Sequence, residues 1–377
     1  MSDELRVAVV GGGLIAQAIH LPNLARLSDA FDLVAVADAS PHVANGLARQ
    51  YSATPYTDWR ELLGHERLDA LLVCSPHSTH AEITLAGLDC GLPVFVEKPL
   101  CISPQDADRI CSRSAATGLV VQVGYMKRFA PAYEAFLDGL PGSSDRLRLV
   151  TVVTYDPWMA REPFVPWNQM IHGRDIPMSV REAQQAAERD QVEAAVGHSD
   201  EATVRAYSYT FLACLIHDVN LIHGALEHLG VDGPLLPLMA AHWAHGDAAS
   251  IAAGLPNGAT AQFSWVLLPG LLDFHEQATL YFEDTIHELR LPGPYDRDAG
   301  GRYSVTGTQG TRPTHIVREL KGDAFAAELS HFHDCVVTGA ICRCPPEQAA
   351  RDIELLRDLF AAGTTGNPTL SKGAPEQ

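Results

Sequence analysis

The chain has 377 residues, 46% of them hydrophobic and 19% charged, which is ordinary for a globular protein and more than one core usually holds. Its net charge of −19 disfavours nucleic acid or an anionic membrane surface as a partner. No apolar run has the length of a membrane span, and the first residues lack the layout of a secretion signal. We therefore expect a cytoplasmic protein of two domains with no membrane partner.

The first predicted strand, Leu5–Val10, runs directly into Gly-Gly-Gly-Leu-Ile-Ala at 11–16. In such a motif Gly11 permits a tight turn, Gly13 lets the backbone approach a pyrophosphate, and Ala16 keeps the helix close to the strand. The free N–H groups at the start of that helix favour phosphates. This stretch predicts a dinucleotide-binding turn.

A second strand, predicted over 33–37, ends in Asp38 about twenty residues after the glycine motif. A carboxylate at this position accepts hydrogen bonds from the adenosine ribose of the cofactor and repels a 2′-phosphate. Both halves of the dinucleotide pattern are present at the right spacing. The sequence therefore favours NAD over NADP.

Helices and strands continue to alternate, which is typical of an α/β fold with a doubly wound parallel sheet. Helices are predicted over 41–50, 59–63, 81–90 and 103–117, and strands over 68–74, 94–97 and 119–123.

The strand that begins at Val94 stops abruptly at Glu97-Lys98-Pro99. Proline cannot donate to a strand ladder, so Lys98 lies at the carboxyl end of the strand, where open α/β sheets bind their ligands. A lysine there donates a proton at neutral pH if burial or a nearby positive charge lowers its pKa. The alternative is a surface lysine that Glu97 neutralises.

The second half predicts further strands, several of which alternate in polarity as half-exposed antiparallel strands do. These predicted strands cover 146–155, 234–243, 248–254, 259–267, 276–283 and 285–291. Residues 158–205 interrupt them with Trp158, Phe164 and Trp167 and a polar helix over 179–196. Because such aromatics need a surface to pack on, we interpret this insertion as a lid or an oligomer contact.

The combined motifs resemble the Gfo/Idh/MocA family of oxidoreductases over nearly the whole chain. The matching residues are Gly-Gly-Gly-Leu-Ile-Ala at 11–16 with His20-Leu21-Pro22, Ser75-Pro76-His77 with His80, Glu97-Lys98-Pro99, Gly124-Tyr125-Met126-Lys127-Arg128-Phe129, Ile216-His217-Asp218-Val219-Asn220, and two terminal helices at 323–338 and 345–362. The resemblance implies an α/β Rossmann domain over 1–125. An α+β domain with a large open antiparallel sheet follows over 126–377, and its terminal helices pack back on the first domain.

This resemblance implies an NAD-dependent oxidoreductase that acts on a secondary alcohol of a sugar, cyclic polyol or glycoside. His217 is the expected base or proton relay, and Lys98 holds or polarises the hydroxyl oxygen. The residues expected to bind the cofactor are Gly11, Gly13, Leu14, Ile15, Asp38, Ser75, Pro76, His77, His80, Glu97 and Lys98. Contacts with substrate hydroxyls are expected from Tyr125, Arg128 and Asn220.

One position departs from the family pattern: Ala213 stands four residues before His217, where the family usually has aspartate. Asp218 points about 100° around the helix and is expected to face away from His217. If His217 is the base, a carboxylate from elsewhere in the chain, an ordered water or a backbone carbonyl must orient it, and we expect the insertion to border the active site. The groups available for that task are the carboxylates of Asp175, Asp200 and Glu201 and the hydroxyl of Tyr209.

Two alternative functions stay open, and the loss of that aspartate motivates the first of them. One is a non-catalytic sensor that binds NAD and a sugar. The other is a lyase or glycosidase that uses tightly bound NAD for transient oxidation.

Two further expectations concern assembly and metals. The predicted strands carry the apolar residues Phe263, Trp265, Leu280 and Phe282. An apolar sheet face that no helix covers predicts a homodimer or homotetramer. The alternation of polar and apolar residues does not tell which face the helices cover. The eight cysteines, including Cys335, Cys342 and Cys344, lack metal-ligand spacing, so we expect reduced thiols and no metal.

Overall fold

A computed structural model describes residues 4–231, 233–243, 246–296 and 299–365, with the side chains of the last two left out. It contains two sheets, each packed against helices. Within these ranges no helix is long and apolar enough to cross a lipid bilayer.

The first sheet has six parallel strands in the order β3-β2-β1-β4-β5-β6. The strands are β1 (Leu5–Val10), β2 (Phe31–Ala37), β3 (Thr54–Tyr56), β4 (Ala70–Val73), β5 (Val94–Glu97) and β6 (Val121–Gly124). Four of them are almost wholly buried, as expected for apolar strands that helices cover on both faces. Strand order reverses between β1 and β4, and such a reversal opens a ligand crevice at the carboxyl ends.

Helices connect these strands, and polar side chains cap several of them. A π-helical turn (Ala16–His20) follows the glycine-rich loop, and the α-helices are α1 (Leu21–Arg26), α2 (Pro41–Tyr51), α3 (Trp59–His65), α4 (His77–Asp89) and α5 (Pro104–Thr117). Ser40 caps α2 and Ser103 caps α5 by accepting backbone N–H groups, which satisfies donors that a helix start leaves free. The parallel α/β architecture predicted for this half is confirmed.

The second sheet has eight strands in the order β14-β13-β12-β11-β7-β10-β9-β8. They are β7 (Leu147–Asp156), β8 (Leu236–Trp243), β9 (Ala248–Gly254), β10 (Thr260–Leu267), β11 (His275–Phe282), β12 (Ile286–Leu291), β13 (Ala299–Gln309) and β14 (Arg312–Lys321). Neighbours are antiparallel except β7 and β10, which run parallel, so the sheet is mixed rather than purely antiparallel.

The helices of this half pack on one face of the second sheet and on the first sheet. They are α6 (Pro131–Gly139), α7 (Met178–Val196), α8 (Glu201–Val204), α9 (Ile216–His228), α10 (Ala324–Thr338) and α11 (Pro346–Thr365), and a π-helical segment (Arg205–Leu215) leads into α9. Helix α10 brings Phe332 against Phe95 of β5, with ring centroids 5.9 Å apart. The chain therefore returns to the first sheet, while the domain boundary after residue 125 stays a prediction.

The aromatic residues that the sequence offered for assembly lie on the helix-covered face. Phe263 and Leu280 are fully buried, and Trp265 and Phe282 nearly so. The opposite face carries the exposed side chains Val153 and Val317, which the strand pairing places on the same side of the sheet. Sequence reasoning missed β13 and β14, because their polar and glycine-rich residues lack the apolar alternation that predicts a strand.

Candidate functional site

Two glycines of the loop after β1 differ in the space around them: Gly11 is tightly packed and Gly13 is open. Gly11 has a φ of +98°, and a Cβ added to it would lie 2.5 Å from the backbone of Cys74. A Cβ on Gly13 would meet no atom within 4 Å. Gly11 therefore closes the turn against β4, while Gly13 presents bare backbone to an open cleft, as the pyrophosphate of a dinucleotide requires.

Asp38, at the end of β2, ties this loop to the start of α2. Its two carboxylate oxygens accept hydrogen bonds from the N–H groups of Gly12 and Ser40, each at 2.8 Å. Burial raises the pKa of the Asp38 carboxyl, although both N–H groups oppose that shift. Each oxygen keeps a free lone pair, so Asp38 can still accept bonds from ribose hydroxyls. The loop and this carboxylate fit the adenosine half of a dinucleotide.

A cavity of about 1030 Å³ extends from this loop, and the insertion forms one of its walls. Gly11, Asp38, Ser75 and Pro76 line it on the side of the first sheet. Residues on and just before α7 line the other side, Asp175 among them. The insertion thus covers the cleft that the glycine-rich motif predicts.

Two histidines predicted to bind the cofactor lie behind the cavity wall. His80 is fully buried, with its ring nitrogens 2.7 Å from the Pro99 carbonyl oxygen and 2.8 Å from that of Ser75. His77 packs edge-on against His80, with centroids 5.6 Å apart. Neither lines the cleft, and His80 instead links the loop after β4 to the loop after β5.

A second cavity, of about 300 Å³, contains both predicted catalytic residues. Ile15 and Glu97 border it on the cofactor side, and Glu97 is held at 2.6 Å by Nε2 of His20. Strand β5 delivers Lys98 and α9 delivers His217. Both side chains therefore line the same cavity, and their catalytic roles stay a prediction.

Lys98 donates a hydrogen bond of 2.9 Å from Nζ to the carbonyl oxygen of Ala213. That carbonyl lies near the junction between the π-helical segment and α9, and such irregular helical turns recur at functional sites. At the position where the family usually has an aspartate side chain, the backbone thus accepts a bond from the lysine. Burial lowers the pKa of Lys98, although Glu97 opposes that shift.

His217 is buried beside two cationic side chains. Burial first, and then the charges of Lys98 and Lys127, hold its pKa well below the usual value for histidine. Its Nδ1 atom has no hydrogen-bond partner among the residues that the structure describes. The Tyr125 ring packs edge-on against the imidazole, with centroids 6.3 Å apart. The imidazole of His217 is thus neutral at pH 7, and packing holds it in place.

Two of the carboxylates offered to orient His217 lie elsewhere and are wrong candidates, whereas Tyr209, whose hydroxyl was offered for the same task, lines the cavity together with His217. Asp175 bonds to Ser40 and to the backbone of His42, and Asp200 caps α8. The expectation that the insertion borders this cavity is confirmed by Trp158, Met159 and Ala160, which line it.

A buried ion cluster lies across the cavity, and sequence reasoning did not find it. Lys127 Nζ lies 2.6 Å from a Glu276 carboxylate oxygen and 3.1 Å from one of Asp218. Burial opposes the positive charge, yet both carboxylates together raise the pKa of Lys127. Asp218 also accepts a bond of 3.1 Å from Thr154. Asp218 therefore serves the cluster and makes no hydrogen bond with His217.

Asp156 and Glu276 also line this cavity. Burial raises the pKa of each carboxyl. They stand at the end of β7 and the start of β11, where no local motif marks them. Lys127 lies inside the stretch that resembles the family. Its position after β6 was the one sequence signal that could have predicted a residue of this cluster.

Arg128 and Asn220 were predicted to contact substrate, and the structure does not bring them to the cavity. Arg128 donates to the side-chain oxygen of Gln348 at 2.6 Å and pairs with Glu227 at 3.6 Å. Asn220 donates to Asp352 at 2.7 Å. Both therefore connect α9 and its surroundings to α11.

The N-terminal third of the chain is similar to known proteins. Residues 5–125 match an oxidoreductase family described by its NAD-binding Rossmann fold. An inositol 2-dehydrogenase of Saccharopolyspora erythraea is 37% identical over 130 residues, which are 34% of this chain and 38% of that protein. A D-glucoside 3-dehydrogenase of Escherichia coli is 35% identical over 130 residues, which are 34% of this chain and 37% of that protein. The chain spans less than two fifths of the length of these relatives.

Solved structures resemble nearly the whole chain in fold. A UDP-N-acetylglucosamine 3-dehydrogenase from Acidithiobacillus ferrooxidans superposes with a TM-score of 0.69 over 96% of this chain and 98% of its own, at 18% identity. A 3-ketoreductase from Actinomadura kijaniata, solved with NADP and TDP-benzene, superposes with a TM-score of 0.70. The superposition covers 95% of this chain and 98% of that protein, at 19% identity. At such identities the likeness extends to the fold alone.

Proposed function

We propose, from the premise that this chain belongs to the Gfo/Idh/MocA family of oxidoreductases, that it is an NAD-dependent dehydrogenase. The proposed reaction interconverts a secondary alcohol and a ketone on a sugar, a cyclic polyol or a glycoside. The observation that carries the proposal is a single cavity that joins Lys98 and His217 beside Ile15 of the cofactor loop. The names of the inositol and glucoside dehydrogenase relatives support this substrate class.

The residues that would hold the cofactor are those of the glycine-rich loop, Asp38, Ser75 and Pro76. When bound, NAD accepts or supplies the hydride, which no side chain can do. Asp38 favours NAD over NADP, because a carboxylate in this place repels a 2′-phosphate.

His217 is the proposed proton acceptor for the substrate hydroxyl. Because its pKa lies well below the usual value, the imidazole is neutral at pH 7 and has a free lone pair. Lys98 uses one N–H on Ala213 and retains two donors for the substrate oxygen. Such donors stabilise negative charge as it develops on that oxygen.

The far wall of the cavity supports recognition of a polyhydroxylated ring. Asp156 and Glu276 are acceptors for hydroxyl groups, and the ion cluster keeps Lys127 as a fixed cation. Trp158 and Trp265 add aromatic surface on which the C–H face of a sugar ring can pack.

The exposed face of the second sheet is the proposed surface for a homodimer or homotetramer. The apolar side chains of Val153 and Val317 stand on this face and contact water in the single chain. Burying them between copies removes apolar area from solvent. A location in the cytoplasm is likewise part of the proposal.

Absorbance of reduced nicotinamide tests the reaction directly. The purified chain is incubated with NAD and a panel of inositols, hexoses and methyl glycosides, and we expect net formation of NADH with at least one of them. His217→Asn should remove this activity, and His228→Asn, at an exposed position on the same helix, should leave it unchanged. Product without NADH would indicate transient oxidation on retained NAD. Nucleotide and sugar binding without any product would indicate a sensor.

A further inference from the structure

The insertion reaches the adenosine end of the cofactor cleft and brings a second carboxylate there. One oxygen of Asp175 accepts the hydroxyl hydrogen of Ser40, and the other accepts the backbone N–H of His42 at 2.9 Å. Asp38 accepts the backbone N–H of the same Ser40 at 2.8 Å. One serine therefore joins the two carboxylates, which line the same cavity.

The groups that Asp175 occupies would otherwise bind an anion. Ser40 caps α2, an eleven-residue helix, and His42 lies in its first turn, where free N–H groups and the helix dipole attract negative charge. These donors stand directly beyond Asp38, on the side where the 2′ position of the ribose is expected. The Asp175 carboxylate accepts hydrogen bonds from these donors and so takes the place that an external anion would occupy.

The segment that carries Asp175 is attached to the first sheet's side of the cleft. The Gln17 side chain exchanges two hydrogen bonds with the backbone of Ile171, at 2.8 and 2.9 Å. Farther along, Gln191 on α7 donates to the Ser78 carbonyl oxygen at 2.8 Å. These contacts on both sides hold Asp175 in place. Its negative charge also contributes, after burial, to the raised pKa of Asp38.

We infer that Asp175 is a specificity-determining residue that excludes NADP by occupying the anion-binding start of α2 and opposing a 2′-phosphate. The inference rests on the proposed function, and it assigns part of the cofactor preference to the insertion rather than to the Rossmann motif. A 2′-phosphate would have to displace this carboxylate and then remain next to both Asp175 and Asp38.

Calorimetric titration of the full chain, without substrate, tests this inference. Dissociation constants are measured for NAD and NADP, and for AMP and adenosine 2′,5′-bisphosphate, which differ only in the 2′-phosphate. For Asp175→Asn and Asp175→Ser we expect NADP and the bisphosphate to bind about 10-fold more tightly, while affinity for NAD and AMP changes less than about 3-fold. Asp190→Asn, an exposed position on α7, should change neither ratio. The gain should shrink as salt is added.

Distinct results would overturn the inference and the proposed function. Unchanged NADP affinity in both variants, with NAD binding intact, would reject the role of Asp175 alone. Loss of affinity for both nucleotides in both variants would make Asp175 a structural anchor and would also reject that role. Failure of the unaltered chain to bind either nucleotide would reject the proposed function itself.

Discussion

The two cavities of this protein are built from different parts of the chain. The cofactor cleft is built around backbone: Gly11 closes the turn, Gly13 faces open space, and Asp38 accepts the N–H groups of Gly12 and Ser40. The cavity that Lys98 and His217 line presents charged side chains from separate elements, and its contact between Lys98 and Ala213 joins residues 115 positions apart. A backbone site depends on short-range conformation, whereas a side-chain site depends on how whole elements pack.

Removal of the Lys98 side chain should have the largest effect on activity. It changes the cavity that Lys98 lines and leaves the cofactor cleft unaltered. Lys98→Ala should lower kcat by about 10²–10⁴-fold, the usual loss when a positioned proton donor or acceptor is removed. NAD affinity should stay within about 3-fold, since the phosphate and ribose contacts remain. Steady-state kinetics and a nucleotide titration measure both quantities. Lys321→Ala, at an exposed position on β14, is the matched control. An unchanged kcat would make Lys98 merely structural.

The same contrast explains what the sequence could predict. The glycine loop, Asp38 and five of the six strands of the first sheet follow local rules of turn geometry and apolar patterning and were predicted, whereas the short, largely exposed strand β3 was missed. Lys98 and His217 were found because they stand beside recognisable motifs. Asp156 and Glu276 were missed because they become site residues only when β7 and β11 pair beneath α9. Asp175 was assigned to the wrong cavity, because nothing in the sequence fixes the path of the insertion.

Two glycine substitutions should separate stability from cofactor binding within the backbone-built cleft. Gly11→Ala introduces a Cβ 2.5 Å from the backbone of Cys74 at a φ of +98°, and should lower the free energy of unfolding by about 1–3 kcal/mol or more. Gly13→Ala adds a methyl group to open space, and should leave that free energy within about 0.5 kcal/mol. It should weaken NAD binding by about 10-fold, because the methyl group enters the path of the phosphates.

Urea unfolding and NAD titration of both variants measure these effects. If Gly13→Ala proves destabilising while NAD affinity is unchanged, the loop does not approach the phosphates as described.

The smallest expected effect concerns pH and tests the electrostatics of the side-chain-built cavity. Oxidation requires neutral His217, and activity falls on the acid side as this group gains a proton. Because burial and the nearby lysines lower its pKa, the fall in kcat/KM should begin clearly below pH 6.5. At pH 6.5 an ordinary histidine would be half protonated and would have lost half of its kcat/KM. The value of kcat/KM expected for this protein at pH 6.5 is therefore about twofold higher than with an ordinary histidine as the base. An acid limb centred at or above pH 6.5 would contradict this assignment of the base.

A crystal structure of the NAD complex would show directly whether the nicotinamide lies beside Lys98 and His217. We expect the pyrophosphate over Gly13, the adenosine ribose at Asp38, and the nicotinamide in the cavity that Ile15, Lys98 and His217 share. A nicotinamide ring bound away from Lys98 and His217 would contradict the proposed dehydrogenase mechanism.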